Sequence, residues 1–182
     1  MNTFRLRRHL NKMFKDGASH AEVYQAGIAM GEKEKMVSTI TSMLPDREAA
    51  QKYRAAQLTL MVLLVILGLL AIALGVLELT AEETTVILGT IFIGAGILNI
   101  LFARMVAVHF YAGYTAILIL TILGIRHPIN SIIEGDPVGF VAVAINITII
   151  ALCIFMLKNV FTHTSFFGKR LVPKGATKGF WE

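Results

Sequence analysis

LTLMVLLVILGLLAIALGVL, residues 58–77, runs for twenty residues without one Asp, Glu, Lys or Arg. A helix rising 1.5 Å per residue needs ~20 apolar residues to cross a ~30 Å hydrocarbon layer. Three further stretches, 85–103, 107–125 and 138–157, are within a residue of that length and share its freedom from charge. The sequence therefore predicts an all-α polytopic membrane protein built on a four-transmembrane-helix bundle. Its composition agrees: 55% of the residues are hydrophobic, the mean hydropathy is +0.68, and a soluble domain is usually ~45–50% apolar.

Working outward, three regions separate. Residues 1–55 form a small helical module, 56–158 the bundle, and 159–182 a tail mixing basic and aromatic residues. The turn between the second and third spans carries no proline. From residue 84 to 125 Arg104 is the one charged side chain, and as one helix this run would be ~63 Å long, twice the bilayer core. It is expected to fold back around 104–108, with Arg104 reaching the headgroups and His109 at the near end of the third span.

Basic residues set the orientation. Of seventeen Lys and Arg, ten precede the first span, Arg104 lies between spans two and three, and five follow span four. These sixteen fall on one side of a four-span chain, and the positive-inside rule makes that side the cytoplasm, with both termini there. Glu78, Glu82, Glu83, Glu134 and Asp136 fall on the other side. The basic N-terminus is not followed at once by an apolar core, as a secretory signal would require. Residues 1–15 are rich in basic residues and free of acid, like a mitochondrial transit peptide, but they lack the usual Ser enrichment. A bacterial inner membrane is the expected location.

In the N-terminal module, Leu6, Leu10, Met13 and Phe14 form an apolar stripe opposite a basic face bearing Arg5, Arg7, Arg8, Lys12 and Lys15. Such a helix fits an anchor lying in anionic headgroups. Ser19 and Glu22 have capping-box spacing for a second helix, with Val23, Tyr24, Gly27 and Met30 on its inner face. A third helix spans roughly 33–44, and Pro45-Asp46 opens a segment, 47–57, expected to continue unbroken into the membrane. A helix-turn-helix reading is opposed by Glu32 and Glu34, which would repel phosphates at the head of the reading helix. No nucleic-acid partner is expected.

The spans hold no acid, Lys or Arg, which argues against ion-coupled transport and voltage sensing. One histidine cannot supply paired axial haem ligands, and His20, His127 and His163 have no zinc-site spacing. With Cys153 alone there is neither a disulfide nor a thiolate metal site. No cofactor is expected. The polar residues left in the spans, Thr90, Asn99, Asn146 and Thr148 with His109, are candidates for interhelical packing or for lining a pore. Small-residue pairs at four-residue spacing, Ala71/Gly75, Thr90/Gly94 and Ala112/Ala116, are candidate close-packing faces. In the loop 126–137, Pro128 can open a short surface helix, Gly135 can end it, and Asp136 can cap span four.

The tail contributes Lys169, Arg170, Phe180 and Trp181 as further cytoplasmic surface candidates. No hydrolase elbow, HExxH, phosphate-binding loop or CxxC occurs, so an enzyme is not expected. The expected function is a non-catalytic integral membrane component that oligomerises or scaffolds a partner protein at the cytoplasmic face. The alternative is an oligomeric pore or membrane-permeabilising effector.

Overall fold

The structure, a computed structural model, describes residues 3–80 and 86–162. These residues form nine α-helices and no strand: α1 Thr3–Lys15, α2 His20–Ala29, α3 Glu34–Ser42, α4 Arg47–Lys52, α5 Arg54–Thr80, α6 Val86–Ala107, α7 Tyr111–Gly124, α8 Arg126–Ile133 and α9 Val138–Asn159. Four helices are long and apolar enough to cross a membrane, the third being α7 continued through α8. Only 17–22% of the apolar window of each is buried within the chain, so most of every span is left to meet lipid. The chain is an integral membrane protein by this measure.

By their contacts the described residues divide into two units, one holding residues 3–50 with 157–162 and the other lying within residues 51–156. In the first unit α1, α2 and α3 close a core of Leu6, Leu10, Phe14, Val23, Tyr24, Val37, Ile40 and Leu44. Helix α1 ends at Lys15, and the turn beyond it passes through Gly17, whose φ of 116° is open to glycine at no steric cost. There the amide of Ala18 donates to the Met13 carbonyl and that of Gly17 to Phe14. Arg47 seals this end: its guanidinium donates to the carbonyls of Phe14, Gly17 and Ala18 and lies 4.5 Å from the Phe14 ring centroid.

Ser19 caps α2 in a full capping box, its hydroxyl accepting from the Glu22 amide while the Glu22 carboxylate accepts from the Ser19 amide at 2.7 Å. That amide holds the Glu22 carboxyl below its ordinary range. At Gly27 a Cβ would sit 2.5 Å from Val37, so α2 and α3 approach through the missing side chain. Met30, expected on the inner face of α2, is its C-cap and 42% exposed. Asp46 accepts from the Ala49 amide at the start of α4 and donates its own amide to Val160 beyond α9.

The segment 47–57 is not the unbroken helix expected. It stops at Tyr53 between α4 and α5, where the Tyr53 ring stands edge-on to Phe155 of α9 at 5.0 Å.

In the second unit α5 and α6 form the closest pair. A Cβ at Gly68 would meet the Gly96 carbonyl at 2.9 Å, and one at Gly75 the Gly89 carbonyl at 2.7 Å. Two glycine pairs, each seven residues from the next, thus bring the two backbones together. The expected Thr90/Gly94 face is not part of this contact: Gly94 has open space around it and Thr90 is exposed. Packing follows the seven-residue period, which keeps a seam facing its partner, rather than the four-residue one.

Helix α8 begins two residues before Pro128 and ends at Ile133, and Gly135, with φ 86°, turns the chain just beyond it. The Asp136 carboxylate then accepts from the Val138 amide at the head of α9, as the loop sequence predicts.

Candidate functional site

Three features of the described residues could carry function, and each is built differently. The first is a cavity of about 290 Å³ within the second unit, walled by α5, α6, α7 and α9. Asn99 of α6, Thr121 of α7 and Asn146 of α9 reach it from three helices, among Leu64, Phe102 and Ile149. Asn146 spends one N–H on the Ala142 carbonyl of its own helix, at 2.9 Å. Asn99 has no hydrogen-bond partner among the described residues. Of the sequence candidates, then, Asn99 and Asn146 come together.

Thr90 and Thr148 do not join them. Both are exposed, and their hydroxyls donate to Val86 and Ala144, each one turn back on its own helix, at 2.8 Å. Such back-bonding satisfies a hydroxyl in lipid without any partner helix.

The second feature is the turn joining α6 to α7. It lies at 108–110, later than the 104–108 expected, and it delays the third span to Tyr111. His109 is therefore in the turn and outside the spans. It adopts φ 49°, the one non-glycine among the described residues in left-handed backbone. Its amide donates to Val106 and that of Phe110 to Met105, the paired bonds of a Schellman stop, whose left-handed position is usually glycine.

Helix α6 ends in four carbonyls without helical partners, and all are met. Arg104 accepts from Val108 and Met105 from Phe110. Val106 accepts from the Gln57 side chain at 2.8 Å and the Tyr114 hydroxyl at 3.3 Å, and Ala107 from Gln57 at 3.1 Å. The Gln57 amide also lies 3.3 Å from His109 Nδ1. His109 Nε2 is buried without a hydrogen-bond partner among the described residues, and burial lowers its pKa from the ordinary histidine value. Gln57 was missed in the sequence because it lies at the edge of an apolar stretch, where a lone amide resembles a flanking residue. Only the fold brings it to residues about fifty positions away.

The third feature is the outer face of α1. Leu6 and Leu10 are fully buried in the core of the first unit. The expected insertion of this stripe into headgroups gives way, because its apolar surface is already used. Arg5, Arg8, Lys12 and Lys15 stay exposed on the opposite side and Arg7 is half-buried. Arg5, Arg8, Lys12 and Lys15 make no ion pair among the described residues. Lys169, Arg170, Phe180 and Trp181 lie outside the described residues.

No group of three or more His, Cys, Asp or Glu side chains that could hold a metal occurs among the described residues. Comparison with protein-family models, with curated proteins and with solved structures finds no match.

Proposed function

We propose that this protein is a non-catalytic integral membrane component that scaffolds a partner protein at the cytoplasmic face of a bacterial inner membrane, alone or as an oligomer. The observation that carries this reading is the outer face of α1. Four cations at positions 5, 8, 12 and 15 recur at helical spacing over ~15 Å of helix, and the buried stripe opposite holds that helix to a packed core. Phe4, 72% exposed, precedes Arg8 by one turn. Aromatic and Arg side chains side by side are the usual anchors of protein interfaces.

The positive-inside rule supports the cytoplasmic assignment. The unit bearing this face is joined to the spans at both ends, at residues 50–51 and 156–157. A Lys or Arg near an anionic membrane surface contributes about 1 kcal/mol of attraction, so headgroups are a second acidic surface that such a face would bind. The partner surface that complements the face is acidic.

The test uses the full chain in its own membrane and in liposomes. Charge reversal at Arg5, Arg8, Lys12 and Lys15 should release a co-purifying polypeptide that the unaltered chain retains. Liposomes containing the protein should hold an ion gradient as well as empty ones do. A steady ion leak, altered by Asn99→Leu or Asn146→Leu, would contradict the scaffold reading and establish an oligomeric pore.

A further inference from the structure

We propose that the cavity among α5, α6, α7 and α9 is a binding site for a small neutral amphiphile, a molecule with an uncharged carbonyl or hydroxyl head on an apolar body. This goes beyond the scaffold reading and does not depend on it. The volume, about 290 Å³, is near the lower end of ligand pockets, which run from about 300 to 1,000 Å³. It could otherwise hold up to about ten waters at ~30 Å³ each.

The walls favour the amphiphile. Leu64, Phe102 and Ile149 are apolar, and each is at most 8% exposed. A water needs two to four polar partners, and this lining offers three polar side chains drawn from three helices. One molecule with a single polar end satisfies both the amides and the apolar walls. Access is open, since Leu98 and Leu120 of the lining are 42% and 47% exposed, and the surroundings of a span are lipid.

The polar groups define the head. Asn99 offers two N–H donors and a carbonyl acceptor, all free of partners among the described residues, and Asn146 keeps its carbonyl and one N–H. Thr121 adds a hydroxyl. Among the described residues no charged side chain lines the cavity, so a carboxylate or an ammonium would enter without a counter-ion, at a desolvation cost that excludes it. An alcohol, ketone or amide fits; a fatty acid anion does not.

The experiment is photolabelling of the full-length protein in phosphatidylcholine liposomes. The probe is a ten-carbon alcohol bearing a mid-chain diazirine, compared with the matching carboxylate and ammonium. The expected result is saturable labelling of lining residues such as Leu98, Phe102 and Ile149 by the alcohol alone. Removing one carboxamide by Asn99→Leu should weaken half-saturation about threefold, and Asn99→Leu with Asn146→Leu about tenfold, as intramembrane hydrogen bonds of ordinary strength require. Thr121→Val, nearly isosteric, supplies a second reading in a background whose fold is least disturbed, with a loss of about threefold. Labelling that does not saturate, that spreads over the lipid-facing residues of all four spans, or that is equal for the three probes would overturn the proposal and leave the cavity to water.

Discussion

His109 occupies a position that glycine would take without strain. Left-handed backbone at a non-glycine residue costs on the order of 1–3 kcal/mol and persists where surrounding contacts over-determine it. Here those contacts are named: Gln57 against Nδ1 and the two amide bonds that close α6. Replacing Gln57 with Leu, similar in bulk, should leave the Ala107 carbonyl without its side-chain donor and lower stability by about 1–3 kcal/mol, read as a shift in the unfolding midpoint in detergent. A second outcome follows from burial of the ring. The His109 pKa is lowered in the folded chain, so on acidification the unfolded chain takes up this proton first. Its contribution is complete above the ordinary histidine value near ~6.5 and is lost as pH falls through the lower folded value. His109→Asn keeps a residue tolerant of left-handed backbone and removes the titration. The fall in stability as the pH drops below the ordinary histidine value should therefore be shallower in the variant than in the parent, a difference thermal unfolding across pH would show.

At the scale of elements, the α5–α6 pair rests on backbone contact at Gly68/Gly96 and Gly75/Gly89. A Cβ at Gly96 would lie 2.5 Å from the Gly68 carbonyl, and backbone cannot give way as a side chain does. Gly96→Ala should cost about 1–3 kcal/mol. Gly94→Ala, two residues away with open space around it, should be neutral or stabilising, and the two measured side by side separate packing from helix propensity. The same helices show what the sequence discloses. Four spans were legible because freedom from charge over twenty residues has one physical meaning. The Ser19–Glu22 cap and the stop at Gly135 were legible because each is a local hydrogen-bonding device. The α6–α7 turn was misplaced because its stop residue is a histidine, and left-handed backbone there is imposed by tertiary contacts. The glycine seam was legible only in part: Gly75 of the Ala71/Gly75 pair lies in it, but four-residue pairs are abundant in any span, and only the fold selects the seven-residue set. At the candidate site, Asn99 and Asn146 stood out as rare amides in lipid. Their convergence with Thr121 depends on helix packing order, which no local pattern encodes.

For the whole molecule, two ways of using apolar surface stand apart. The first unit turns its large side chains inward, Leu6, Leu10 and Tyr24 among them, and leaves charge outside. In the second unit Leu69, Leu77, Val86 and Leu123, each more than half exposed, are turned outward, as a lipid solvent demands. The spans anchor, and the outer face of α1 supplies the surface on which we place the protein's partner. On the scaffold reading the assembly contains a second polypeptide. Native mass spectrometry of the protein, purified gently from its own membrane at natural expression level, tests it most directly. The expected result is a stable mass holding a second polypeptide, which disappears when Arg5, Arg8, Lys12 and Lys15 are reversed in charge. A mass made up of copies of this chain alone, unchanged by that reversal, would contradict it.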